Sequence, residues 1–144
     1  MRIRHLKETV IHAGTVEGHK AVKELRVVIA DDNSAIRQQL QRALSRIDGL
    51  VLLGMAENGV EAIPLIKALN PDVVILDISM PLKNGLEVLR EVRRENSTVK
   101  IIMFTAESSE LLKNTCLELG ADHFLNKSDL TALTETCQGI LLQS

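Results

Sequence analysis

The sequence has no tryptophan and no tyrosine, and its only aromatic side chains are Phe104 and Phe124. A flavin site built on ring stacking therefore has little to stand on. No GxGxxG or P-loop pattern follows any apolar run, which argues against a dinucleotide or nucleotide binder. The two cysteines, Cys116 and Cys137, lack CxxC spacing and fall on amphipathic stretches, where a thiol serves as a small core hydrophobe. A reducing compartment fits that usage, and the cytoplasm is the expected location. No apolar run approaches the roughly 18 residues needed to span a bilayer, and the N-terminal stretch has no signal-peptide core. Excess charge of one sign is also missing: 17 Lys and Arg against 19 Asp and Glu leave a formal charge of -2. That balance provides no electrostatic footprint for nucleic acid or an anionic membrane, and neither is expected as a partner.

What the chain does have is alternation. At 144 residues it is long enough for one domain with a sizeable core. Apolar runs near Arg26–Ala30, Val51–Ala56, Asp72–Leu76, Lys100–Phe104 and His123–Leu125 read as strands, each followed by a helical pattern. Ile36, Leu40, Ala43, Leu44 and Ile47 recur at helical spacing, with Arg37, Gln41 and Arg42 turned away. Asn58 reads as an N-cap with Glu61 reaching back to it, and Pro64 lies inside the helix that follows, at the cost of a hydrogen bond. Asn70-Pro71 ends that helix. Gly85 opens a third along Leu86, Leu89 and Val92; a fourth runs over about Ser109–Leu119 and closes at Gly120. A fifth begins near Ser128 and buries Leu130, Leu133, Cys137 and Ile140. This rhythm predicts an α/β domain with a doubly wound, five-stranded parallel sheet.

Chemistry gathers at the ends of the predicted strands. Val73-Val74-Ile75-Leu76 reads as a strand buried on both faces that stops abruptly on Asp77. Arg26–Ala30 runs in the same way into Asp31-Asp32. The fourth strand ends in Thr105-Ala106, and the fifth delivers Lys127. Open α/β sheets place ligand sites at this edge. Three carboxylates crowded there repel one another strongly in a partly dry cleft. An oxygen-loving divalent cation, Mg²⁺ before others, would relieve the repulsion, with Lys127 offsetting the remainder. A carboxylate beside such a cation, a lysine and a hydroxyl is equipped to attack a phosphoryl group, with Asp77 as the nucleophile. The small Ala106 would leave room for that group to enter. Taken singly, Asp31 or Asp32 could be a helix N-cap and Asp77 a strand-end acid satisfied by backbone amides; the combination argues against both.

The set Asp31-Asp32, Asp77-x-x-Met80-Pro81-x-x-x-Gly85, Thr105-Ala106 and Lys127 resembles the receiver domain of two-component response regulators, the CheY-like superfamily, over about residues 25–142. The resemblance implies a flavodoxin-like (βα)5 fold. It implies that Asp77 accepts a phosphoryl group from a sensor histidine kinase or histidine phosphotransfer protein, in a Mg²⁺-dependent step of a phosphorelay. Asp32, Asp77 and the backbone carbonyl of Ser79 would ligate the ion, with Asp31 acting through water. Thr105 and Phe124 would form the switch that repacks the surface of the fourth helix, fifth strand and fifth helix, where partners dock. Ser79, Ala106 and Glu107 fall where the family controls phosphate access and lifetime. The chain would be a signalling domain, and an enzyme only in its self-catalysed phosphotransfer and autodephosphorylation.

Two departures from the family pattern stand out. The lysine is often followed by a proline, whereas here Ser128 follows and is available to cap the last helix. Phe124 lacks the hydroxyl of the common tyrosine. Haloacid-dehalogenase-like phosphohydrolases are a rival, but they want a second acid where Ser79 stands and a cap domain for which there is no length. A receiver-like interaction domain indifferent to phosphorylation is disfavoured by the completeness of the set.

Residues 1–25 read as an accessory arm ahead of a receiver domain over 26–144. Five basic residues against three acids give the arm a charge of +2. Ile3, Leu6 and Val10 could line a short helix face, but Gly14 and Gly18 interrupt it, and His5, His12 and His19 lack partners for a metal set. A dimerisation role is the second reading of the arm, which keeps a homodimer open. The expectation leans toward a stand-alone receiver over the receiver fragment of a longer DNA-binding regulator.

Overall fold

The structure, a computed structural model, describes residues 23–143. The expectations for His5, His12, His19 and the Ile3, Leu6 and Val10 face lie outside the described residues. Five strands, β1 (Leu25–Ala30), β2 (Leu50–Ala56), β3 (Val73–Leu76), β4 (Lys100–Thr105) and β5 (His123–Asn126), alternate with five helices. These are α1 (Ser34–Leu44), α2 (Gly59–Leu69), α3 (Gly85–Glu95), α4 (Glu110–Glu118) and α5 (Leu130–Gln143). The strands form one parallel sheet in the order β2-β1-β3-β4-β5. The doubly wound expectation holds.

Side-chain alternation explains why two layers of helix are needed. Val28, Ala30, Val74 and Leu76 point to one face, where Ala62, Ile66, Leu89, Val92 and Cys116 of α2, α3 and α4 cover them. Val27, Ile29, Val73 and Ile75 point to the other and meet Leu40, Leu44, Leu133 and Cys137 of α1 and α5. Each such aliphatic side chain, once fully buried, contributes roughly 1.5–3 kcal/mol. Both cysteines are therefore core, one on each face, and burial pushes the Cys137 thiol up to about 12. The last helix is anchored less deeply than expected, since Leu130 and Ile140 stay half-buried.

Asparagines begin most of the helices. Asn33, Asn58 and Asn84 accept from the backbone of Ile36, Glu61 and Glu87, and Ser109 does the same for Leu112. Asn33 thus takes the N-cap position of α1 and leaves both preceding acids free of that duty. At α2 the expected reciprocal bond is displaced by one residue: Glu61 Oε1 accepts from the N–H of Glu57. The full capping box lies at α3, between Asn84 and Glu87. Ser128 does not cap α5. Asp129 Oδ1 accepts from Ala132 at 3.0 Å, because the helix starts two residues later than expected. The α2 helix continues through Pro64 and closes on Asn70 in the left-handed conformation, φ 47°. No helix among the described residues is long and apolar enough to cross a membrane.

Candidate functional site

The chain crosses from one side of the sheet to the other next to β1, so β1 and β3 are neighbours at the topological switch point. Ala30 and Leu76, the last residues of these strands, are in register. The residues that follow, Asp31 and Asp77, consequently emerge side by side, and the Asp77 N–H donates to the Ala30 carbonyl at 2.9 Å. Farther along the same edge, Thr105 pairs with Asn126, and the Lys127 N–H donates to the Thr105 carbonyl at 2.9 Å. Asp31, Asp77 and Thr105 are the buried polar side chains among the described residues, at 2%, 3% and 1% exposure. Their clustering at one strand edge, rather than scattered under loops, marks a built site.

Lys127 ties the acids together. Its ammonium lies 2.8 Å from Asp31 Oδ2 and 3.1 Å from Asp77 Oδ2. Burial alone would lower the lysine pKa, but the bonds to Asp31 and Asp77 outweigh it and the ammonium sits above the usual lysine range. Asp77 is displaced upward: burial is the main cause and the Asp31 charge adds to it, against the opposing pull of Lys127 and the Ser79 N–H. The site thus holds excess negative charge that one lysine does not cancel.

Asp32 is exposed, and one carboxylate oxygen each from Asp31, Asp32 and Asp77 lie within 4.8 Å of one another. Three hard oxygen donors at that spacing, one open to solvent, fit a small divalent cation. Three carboxylates and one ammonium sum to two negative charges, which such an ion would neutralise.

The loop after β3 fixes where Asp77 points. Ile78 and Met80 are buried, and the Ile78 carbonyl accepts from both Met80 and Gly85 N–H groups. A Cβ on Gly85 would stand 2.1 Å from the Asp77 carbonyl oxygen, so only glycine allows α3 to start this close. Leu82, at the exposed crest of this loop, takes a φ of 70°, a conformation leucine rarely adopts.

Ser79, Ala106 and Glu107 all stand exposed around the acids. Thr105 Oγ1 accepts a long 3.4 Å contact from the Glu107 N–H, which leaves its hydroxyl weakly committed. Phe124 is half-buried and leans on the α2–α4 side of the core, while Leu125 faces the other side. Two further contacts were not foreseen. Arg37 reaches back from α1 to the Asp31 carbonyl at 2.7 Å, and the Asn126 side chain organises the turn that carries Lys127. The Asn-x-Ser spacing of an Asx turn could have signalled the second.

The profile of the response regulator receiver domain matches residues 27–138. The response regulator GacA of Pseudomonas viridiflava is 33% identical over 118 residues, covering 82% of this chain and 54% of that protein. A protein-glutamate methylesterase/protein-glutamine glutaminase of Treponema denticola is 33% identical over 129 residues, with 84% of this chain and 35% of the relative covered. The chain therefore spans between about a third and about half of these relatives. Among solved structures, a LuxR-family two-component response regulator from Aurantimonas sp. SI85-9A1 superposes with a TM-score of 0.79 at 26% identity, covering 84% of this chain and 87% of that one. The response regulator domain of Thermotoga maritima CheB gives 0.76 at 25% identity, over 81% and 96%.

Proposed function

Because the chain belongs to the response regulator receiver family, we propose that it is switched by phosphorylation of Asp77 and passes that signal to a protein partner. The observation that carries this reading is the Lys127 ammonium held between buried Asp31 and Asp77, with Thr105 buried on the next strand. An oxygen of Asp77 forms a bond to phosphorus as the phosphorus–nitrogen bond of a donor phosphohistidine breaks. The bonding pair stays on the imidazole nitrogen, which takes a proton from solvent. Lys127 already touches the nucleophile and stays close to offset the charge that reaches the phosphoryl oxygens.

Asp32, Asp77 and the Ser79 carbonyl would hold Mg²⁺, with Asp31 reaching it through water. The ion, when bound, supplies charge neutralisation at the transferring group. Exposed Ala106 leaves an open approach to Asp77, and Ser79 and Glu107 flank the path by which water later removes the phosphate. The modification adds about -1.5 to -2 charge and three acceptor oxygens. Thr105, whose hydroxyl has only the long contact to Glu107, turns toward them, and Phe124 moves inward behind it. The surface of α4, β5 and α5 then changes its affinity for partners by shifting a two-state population.

The proposed phosphate donor is a histidine kinase or phosphotransfer protein in the cytoplasm. Residues 1–25 would serve as an arm on the receiver domain of 26–144, with a homodimer as one use for it. The coverage of the curated relatives supports a second reading of the output, in which this receiver is the input portion of a longer regulator. Borohydride reduction after incubation with phosphoramidate and Mg²⁺ tests the site, since an acyl phosphate on Asp77 is converted to homoserine at that position. Homoserine at another acid, or at none, would refute the assignment.

A further inference from the structure

Lys127 is useful only if its long, flexible side chain is delivered from a fixed backbone, because a lysine stem loses much rotamer freedom when it is held. The backbone around it is fixed from one neighbour. Asn126 Oδ1 accepts from the Ser128 N–H at 2.8 Å, an Asx turn that spans Lys127. The Asn126 carbonyl accepts from the Asp129 N–H at 2.9 Å, closing the chain into the start of α5. With Oδ1 engaged there, the other end of the amide faces the next loop, and Nδ2 lies 3.5 Å from the Ala106 carbonyl. That distance is at the limit of a hydrogen bond, a contact poised to strengthen or break if the Thr105–Ala106 loop shifts.

Asn126 therefore touches both loops that bring cationic and hydroxyl groups to Asp77. Its backbone pairs with Thr105 in the sheet, its amide oxygen shapes the Lys127 turn, and its amide nitrogen reaches Ala106. We propose that Asn126 is a positioning residue for phosphoryl transfer, which holds Lys127 over Asp77 and couples that lysine to the Thr105–Ala106 loop. The inference rests on the phosphoacceptor reading of Asp77. A purely structural Asx turn would matter little here, because the Ser128 amide is at the surface and its loss as a partner buries no unpaired group.

The test compares the whole chain with Asn126→Ala and Asn126→Asp, using phosphoramidate as donor, with Mg²⁺ affinity measured separately by calorimetry. Thermal melts confirm that each variant is folded, and hydrogen exchange reads the Ser128 amide without any donor. Asn126→Ala should slow phosphorylation about tenfold, the scale of a modest misplacement of a catalytic group. It should also speed Ser128 exchange and leave Mg²⁺ affinity unchanged, since the side-chain hydrogen bonds of Asn126 run to Ser128 and Ala106 and not to the acid cluster. Asn126→Asp keeps the acceptor for Ser128 but loses the donor to Ala106, so it should restore slow Ser128 exchange and bring the rate to a value between those of Asn126→Ala and wild type. A folded Asn126→Ala variant with wild-type rate or wild-type Ser128 exchange overturns the proposal. So does a rate loss matched by loss of Mg²⁺ affinity, or an Asp variant as slow as the Ala one. If wild type itself takes no phosphate, the phosphoacceptor reading fails and this inference falls with it, a result distinct from failure in the variants alone.

Discussion

The Lys127 ammonium stands 3.1 Å from Asp77 Oδ2, yet the Asp77 carboxyl is still held above the ordinary aspartate range. Burial and the neighbouring Asp31 outweigh the lysine. Folding thus places the charged form of Asp77 at a disadvantage, which a cation bound at the acid cluster would relieve.

Removing the charge should therefore stabilise the fold. A carboxyl whose pKa is raised on folding binds its proton more tightly in the native state, so stability falls as pH rises from the unfolded value near 3.8 through the folded one. Asp77→Asn should raise the melting temperature by about 4 °C, and the gain should vanish below the unfolded pKa. Melts of wild type and variant across pH check this; equal melting temperatures at pH 7 would mean the site is not charge-strained.

Mg²⁺ should stabilise the wild-type chain by about 2.7 kcal/mol at a hundredfold excess over its dissociation constant. Asp32→Asn, which removes the exposed donor of the cluster, should weaken that gain without lowering the melting temperature in chelator. Titration of the melt with Mg²⁺ checks it.

Lys127→Ala should slow phosphorylation and blunt the response to phosphate far more than it weakens Mg²⁺ binding. The lysine is itself a cation beside the acids, so its loss does not remove a ligand. Its own contribution to stability has the same pH sense as that of Asp77, displaced to a much higher pH window. A lysine pKa raised by Asp31 and Asp77 stabilises fully below about 10.5 and is lost only as pH climbs through the folded value. Collapse of Mg²⁺ affinity in the variant would show the lysine's role to be different.

Gly85→Ala should be costly for a reason of space. The added Cβ would meet the Asp77 carbonyl at 2.1 Å, and relieving the clash means moving either the start of α3 or the Asp77 backbone. A loss of about 1–3 kcal/mol, the range of overpacked sites, should come with slower phosphorylation. Denaturant melts and donor kinetics measure the two effects separately.

The site was legible in the sequence because it is made of abrupt changes. Buried strands need unbroken apolar runs, so Asp77 after Leu76 and Asp31 after Ala30 stand out, and parallel register then sets them together. Helix starts were read unevenly. The Asn-x-x-Glu pattern occurs at both Asn58 and Asn84, yet Glu61 bonds one residue further back and only Glu87 forms the reciprocal box. Ser128 and Asp129 are both good caps in isolation; only the length of the Asn126 turn decides between them. Leu82 could not have been foreseen at positive φ, because no local preference puts leucine there. Gly85 was visible as a helix opener, but its closeness to the Asp77 carbonyl exists only once the loop folds back.

The central claim is that Asp77 takes a phosphoryl group, and intact mass reads it most directly. Wild type and Asp77→Asn are incubated with phosphoramidate or acetyl phosphate, with and without Mg²⁺. A single phosphate-sized gain is expected in wild type, requiring Mg²⁺ and absent from the variant. No gain with either donor, or an equal gain in Asp77→Asn, would contradict it.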